Sequence, residues 1–132
     1  MASHSTALSE LFSERELIVA ISDETTNIKT GTSKMTIRAP CGMVLTKIPR
    51  AFLKSASTSG LVTVDINVAG TSILGTNKLS IDANEKTSVT AATATSLVTT
   101  TIADDAELTF DIDTAGISAK GLKVILYYKR SA

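Results

Sequence analysis

Residues 61–68 read LVTVDINV, and this stretch decides the fold class. Apolar side chains fall on every second position from Val62 to Val68, and polar side chains fill most of the positions between them. A period of two is the pattern of a β-strand with one buried face and one solvated face. The pattern therefore predicts a half-buried strand in the middle of the chain.

The same alternation recurs on both sides of this strand, between turn sequences such as SASTSG at residues 55–60. In residues 16–21 both alternating faces are mostly apolar, which predicts a strand covered on both sides. Residues 43–54 predict a long strand with an edge position or bulge at Pro49, because proline cannot donate to the sheet ladder. The more regular segments are Ser33–Ala39, Leu79–Ile81, Leu108–Ile112 and Leu122–Tyr128.

Strand signals every 8–12 residues favour a sandwich or a barrel. The 20 threonines and 15 serines suit solvated sheet faces and turns. We predict an all-β fold, an eight-stranded jelly-roll-like β-sandwich with a short N-terminal arm or helix. The sandwich domain is expected to span residues 16–132 and the arm residues 1–15.

The arm carries the one helical pattern, over Thr6–Arg15. Leu8, Leu11 and Phe12 have the i, i+3, i+4 spacing of a single helix face. A helix of this length is marginal by itself, so its apolar stripe needs a surface to rest on. We therefore take these three side chains as interface candidates.

Composition makes several function classes improbable. The 13 basic and 13 acidic residues balance, which argues against a nucleic-acid partner. One cysteine and one histidine provide neither an internal disulfide nor a usual zinc site. Neither a signal peptide nor a membrane-spanning run is visible, so we expect a soluble protein made in a cytoplasm, without a membrane partner.

Several side chains were weighed as sites. His4 and Cys41 have no base or nucleophile nearby in the sequence, and we interpret them as a solvated tail residue and a structural thiol. An acidic cluster at residues 104–113 has carboxylates about 7 Å apart along a strand, which is too wide for one calcium shell. We therefore predict no catalytic residue, no metal site and no cofactor.

Two further features favour an interface. Lys47, Arg50 and neighbouring cations are interpreted either as a solvated face or as a basic patch for an acidic lattice, and Arg50 is the candidate we retain. Tyr127 and Tyr128 point to opposite faces of the final strand. One of them should complete the core, and the other, taken as Tyr127, should lie at a subunit interface, where aromatic residues are enriched.

An ordered series of short motifs runs from about Ser33 to Leu126. It resembles a β-sandwich module that recurs in tailed-bacteriophage virion proteins, including head-decoration and fibre proteins. The resemblance covers roughly 70% of the chain and implies a virion role with trimeric or otherwise symmetric assembly. The motifs are TIRAP (36–40), LTKIPRAFLKSASTSG (45–60), VDINVAGTSIL (64–74), LSIDANEKTS (79–88), ADDAELTFDID (103–113) and AGISAKGLKVIL (115–126).

The short chain favours an independent virion subunit over a tail fibre. The leading hypothesis is a capsid decoration or cement protein, a homotrimer that binds the major capsid protein lattice on the outside of the head. It would be made in the host cytoplasm and located in the virion. The alternative is a fibre or receptor-binding module that recognises a host glycan through loops such as 55–60 or 114–121. The side-chain inventory argues against an enzyme.

Overall fold

A computed structural model describes residues 13–131 of the chain. These residues form two antiparallel sheets that pack face to face, so the predicted all-β sandwich is confirmed. Within the described range there are ten strands. They are β1 (Glu14–Ala20), β2 (Gly31–Arg38), β3 (Met43–Leu45), β4 (Arg50–Phe52), β5 (Val62–Val68), β6 (Thr71–Ser72), β7 (Leu79–Ile81), β8 (Thr101–Ile102), β9 (Glu107–Ala115) and β10 (Lys123–Arg130).

Each sheet is built around one of the last two of these strands. Sheet 1 has the order β1-β10-β3-β8, and β4 also pairs with β10. Sheet 2 has the order β2-β9-β5-β6, and β7 also pairs with β5. Strand β1 pairs with β10 over its full length, from Glu14 opposite Lys129 to Ala20 opposite Lys123. Strands β3 and β4 follow one another along the other side of β10.

The core lies between the two sheets and uses every second residue of the central strands. This follows from the pleat, which sends successive side chains to opposite faces. Phe110 is fully buried and is the largest such side chain. The core residues of the two central strands are Leu108, Phe110 and Ile112 in β9 and Val124, Leu126 and Tyr128 in β10.

The prediction of eight strands is wrong in its count, because one expected strand is divided and the two-residue strand β6 follows β5. The segment at residues 43–54 forms β3 and β4, and Pro49 lies in the break between them. Pro49 interrupts the predicted strand, but it separates two strands instead of marking a bulge or an edge position within one. Residues 88–101, where threonine and alanine follow no clear period, form a 3-10 turn at Ser88–Thr90 and a loop that leads into β8. The jelly-roll variant of the sandwich stays a prediction.

The first described strand corrects two further expectations. Leu8, Leu11 and Phe12 lie outside the described residues, but Glu14 and Arg15 belong to β1, so the predicted helix does not reach Arg15. The strand is also not covered on both sides. Its inner face is buried at Val19, whereas Ile18 on the outer face is 60% exposed. No helix within residues 13–131 is long and apolar enough to cross a membrane.

Candidate docking surface

The outer face of sheet 1 is the side of β1, β10 and β4 that points away from the core. Paired residues of neighbouring strands project to the same face, so the strand register arranges this surface in rows. Ile18, Ile125 and Arg50 form one row across three strands. Ala20, Lys123 and Phe52 form the next row. The surface therefore mixes apolar side chains with cations.

Tyr127 lies on this outer face and is nevertheless only 8% exposed. The Lys47 ammonium nitrogen lies 4.3 Å from the centre of its ring, and the Arg50 guanidinium carbon lies 5.3 Å from it. Cations at these distances are attracted to the ring face. Tyr128 lies in the core, as expected for one tyrosine of the pair. A partner that meets this surface would contact the two cations instead of the Tyr127 ring.

Two of the cations on this surface are neutralised within the chain. Lys47 forms an ion pair with Glu14 at 3.2 Å, and Lys123 forms one with Glu24 at 2.8 Å. The Thr46 hydroxyl donates to Glu14 at 2.9 Å. This hydrogen bond, followed by the contact with Lys47, lowers the pKa of Glu14. Both carboxylates therefore stay charged well below neutral pH.

Arg50 has no ion-pair partner among residues 13–131. It is exposed and stands beside Ile125 in its row, and the 60% exposed Ile18 lies on the other side of Ile125, on β1. An uncompensated guanidinium next to apolar surface suits a partner that offers a carboxylate together with apolar side chains. Of the two interface candidates in the described residues, Arg50 is therefore the one that a partner can reach, and it packs over the ring of Tyr127.

A groove borders this surface where the chain crosses from β3 to β4. It has a cavity volume of about 390 Å³ and an opening to solvent. Ile48 and Val89, at 43% and 60% exposure, stand on opposite segments of its wall. The groove is held together by Ser88, whose hydroxyl accepts from the Ala51 amide at 2.9 Å. Its lining is chiefly small and apolar, with Lys47 and Arg50 at one side.

The outer face of sheet 2 has a different chemistry. Its strands present carboxylates and hydroxyls that bond to one another across the strands. The Asp111 carboxylate accepts from the Asn67 amide at 2.9 Å and from the Ser33 backbone amide at 2.7 Å. Asp65 accepts from the Ser72 hydroxyl at 2.6 Å. This face satisfies its own polar groups, so it has less need of a partner than the outer face of sheet 1.

The acidic cluster expected at residues 104–113 forms no metal centre in the described part of the chain. No group of three or more ligating side chains within residues 13–131 is placed to hold a metal ion. Asp113 is exposed and lies near Asp65 and Asp111, and its pKa is raised first by partial desolvation and second by these two carboxylates. The negative charges on this face are thus spread along the strands and partly repel one another.

The remaining candidates have simple placements. Cys41 is half-buried and packs against the core, as expected for a structural thiol. His4 lies outside the described residues. The loops at 55–60 and 114–121, proposed for glycan contact, bind each other: the Ser57 hydroxyl accepts from the Ile117 amide at 3.0 Å. No aromatic side chain in residues 13–131 is among the exposed large apolar groups.

Comparisons with known proteins add no relative. No protein-family model matches the chain, and neither a curated protein nor a solved structure is significantly similar to it.

Sequence reasoning missed three parts of the docking surface. The exposure of Ile18 was hidden by the apolar composition of its strand. The covering of Tyr127 by Lys47 and Arg50 depends on the break around Pro49, which places both cations over the last strand. The groove depends on residues 88–95, where the sequence shows no clear period. The signal that was present is the clustering of two cations around a proline in TKIPR (46–50).

Proposed function

We propose that this chain is a structural subunit of a tailed-phage particle, a decoration or cement protein that binds the outside of the capsid lattice. One observation of the fold supports the proposal most: the outer face of sheet 1 presents Ile18 at 60% exposure in the same row as Arg50, a cation without an ion-pair partner in residues 13–131. The ordered motif series supplies the virion context. A symmetric assembly of identical copies is compatible with this surface and with the motif series.

A decoration protein works by contact area repeated over a lattice. The outer face of sheet 1 offers apolar side chains and cations side by side, with Ile18 on the edge strand and Lys123 on the central strand, so a partner could make both kinds of contact. Arg50 would select sites where the lattice presents a carboxylate. The groove beside it, with Ile48 and Val89 on its walls, would accept an apolar side chain of the lattice protein.

The glycan-binding alternative has less support from the described residues. Sugar rings are commonly held against exposed aromatic faces, and Tyr127 is covered while Phe110 and Tyr128 are buried. The loops that would read the glycan are tied to each other through Ser57. We therefore keep the capsid role as the proposal and glycan binding as its competitor.

The direct experiment is to measure the number of copies of this chain in purified virions. Hundreds of copies per particle are expected for a shell component, whereas a handful would indicate a tail part. Absence from purified particles contradicts the proposal.

A second experiment tests the docking surface itself on particles stripped of the protein. Arg50→Glu reverses the free cation and is expected to lower capsid occupancy at least tenfold. Lys34→Glu is the matched control, because it makes the same charge change on an exposed residue of β2 in the other sheet. Equal losses for the two variants would show that the surface is not the docking site.

The N-terminal segment is tested separately by deleting residues 2–12. This deletion removes Leu8, Leu11 and Phe12 and leaves β1, which starts at Glu14, intact. If the segment anchors the protein, occupancy falls while the thermal stability of the sandwich stays unchanged. Undiminished binding of the shortened protein would remove the anchoring role and leave the docking surface to carry the attachment.

A further inference from the structure

The edge strands of the two sheets differ sharply in how they are protected. An unpaired edge strand is a template for another strand, and proteins blunt such edges by shortness, by bulges and by charge. Strands β6, β7 and β8 are short, with two or three residues each. Within the described residues, only β1 and β2 present long edges, of seven and eight residues.

The edge of β2 is blunted. Its register with β9 is broken between Gly31 and Met35, and Ser33 within the break has a φ of 48°. The Ser33 amide is taken by the Asp111 carboxylate at 2.7 Å. The exposed Lys34 adds a charge at the same place. A strand that approached β2 would find neither a continuous ladder nor an apolar contact.

The edge of β1 has none of these protections over its second half. Its register with β10 is continuous over all seven residues. The Ile21 amide donates to the Leu122 carbonyl oxygen at 2.9 Å. In an antiparallel ladder, backbone groups of successive residues point to alternate sides of the strand, so the odd-numbered residues of β1 face β10 and the even-numbered residues face outward. Glu16, Ile18 and Ala20 therefore direct their backbone groups away from the sheet. No strand within residues 13–131 pairs with them.

We propose that two copies of this chain associate edge to edge through β1, in an antiparallel pair centred on Ile18. In this register Glu16 lies opposite Ala20 and Leu17 lies opposite Val19, so no two like charges face each other. A parallel pair would instead set Glu16 beside Glu16, and a pair centred on Arg15 would set two arginines together. The strand that pairs with β1 is expected to be the β1 of a second copy, because this register sets no like charges opposite each other and the other described edges are short or broken.

The pairing sets the two Ile18 side chains side by side on the outer face at the axis, where each covers part of a side chain that is 60% exposed in the single chain. It also joins the two copies of sheet 1 into one continuous sheet. The outer faces of both copies then form a single surface with an Arg50 on each side. An edge that pairs with itself creates a two-fold axis, so a dimer is expected in place of the homotrimer of the leading hypothesis. It does not depend on capsid binding.

Sedimentation of the full chain tests the proposal. The expected species has twice the monomer mass of 13.8 kDa. Ile18→Lys places two charges at the axis and is expected to give a monomer with an unchanged circular dichroism spectrum. Thr36→Lys is the matched control, because Thr36 is an exposed residue of the blunted β2 edge, and it should remain dimeric.

A second variant without an added charge keeps the proposal testable if the lysine variant fails to fold. Ile18→Pro removes an outward amide that β10 does not use, so it should also abolish the dimer. Amide exchange gives a direct readout: the amides of Glu16, Ile18 and Ala20 should exchange more slowly as protein concentration rises. A monomeric or trimeric wild-type chain, or a dimer that survives both Ile18 variants, overturns the proposal. Loss of the dimer on deletion of residues 2–12 also overturns the proposal, because that segment, and not β1, would then hold the two copies together.

Discussion

Removal of the Ser57 hydroxyl is predicted to destabilise the sandwich by an amount that the geometry allows us to estimate. Ser57 is 1% exposed, and its hydroxyl accepts from the Ile117 amide at 3.0 Å. The same hydroxyl donates to the carbonyl oxygens of Ser59 at 2.7 Å and Gly60 at 2.9 Å. In Ser57→Ala the donated bond is lost and the Ile117 amide has no acceptor.

A lost hydrogen bond costs about 1 kcal/mol net, and a buried amide without a partner costs about 1–3 kcal/mol. Because the exposed Ile117 lets some water reach its amide, we expect the lower part of that range and a total of about 2–3 kcal/mol. With a urea slope of about 1–3 kcal/mol/M, the unfolding midpoint should fall by about 0.7–3 M. Circular dichroism is the appropriate signal, since the chain has no tryptophan.

Thr58→Ala is the matched control for this experiment. The Thr58 hydroxyl is exposed and makes one long contact of 3.4 Å to the Ile117 carbonyl oxygen. Its removal should change the free energy of unfolding by less than about 0.5 kcal/mol. If both variants unfold at the same urea concentration, the hydroxyl of Ser57 does not tie the two loops together and the reasoning is refuted.

Three further predictions concern charge and packing. The Asp23 carboxylate accepts from the Thr25 hydroxyl and from the amides of Thr25 and Thr26, and these hydrogen bonds lower its pKa from 3.8 to about 2. Asp23→Asn should therefore lower the melting temperature at neutral pH. The difference between the variant and the wild type should disappear as the pH falls through 2. Asp113 has a raised pKa, so its charged form opposes folding; Asp113→Asn should raise the melting temperature at neutral pH, with no gain below pH 3.8. Phe110→Ala empties the largest fully buried site and should lower the free energy of unfolding by about 3–5 kcal/mol in a urea titration.

The signs of the two aspartate effects follow from proton linkage. A carboxyl group with a lowered pKa in the folded state stabilises the fold above its ordinary pKa, and this contribution is lost as the pH falls through the lowered value. Asp113 is the opposite case, since the folded state binds its proton more tightly than the unfolded state does. Its stabilising influence is present at low pH and is lost as the pH rises through the raised pKa. Melting curves recorded across this pH range would contradict the assignment if the two variants behaved alike.

Local alternation was sufficient to predict the regular strands. The segment around Val62–Val68 forms β5, and the segments around Leu108–Ile112 and Leu122–Tyr128 form β9 and β10, because each alternates cleanly and crosses the sheet with one face on the core. Pro49 was also placed correctly as an interruption. These features are set by the residue types within a few positions of one another, so they can be predicted from one sequence.

The docking surface depends on long-range pairing, and this explains what was missed. Ile18 looks like a core residue by its type, and it is exposed only because its strand lies at the edge of sheet 1 with Val19 turned inward. Lys47 and Arg50 cover Tyr127 because a strand break brings them beside a strand almost 80 positions later. Sequence periodicity gives the direction of a side chain within its strand but not the strand's neighbours.

The order of strands in the sheets has a consequence for how the chain is made. The first two described strands, β1 and β2, pair only with β10 and β9, so both emerge from the ribosome long before their partners exist. Ala20 lies about 100 positions before Lys123, to which it is paired, and at typical rates of synthesis the delay is about 5–20 s. During that interval the nascent chain carries two unpaired strands with their inner side chains in water. Their apolar side chains are covered only when β9 and β10, the partners of these two segments, have been synthesised.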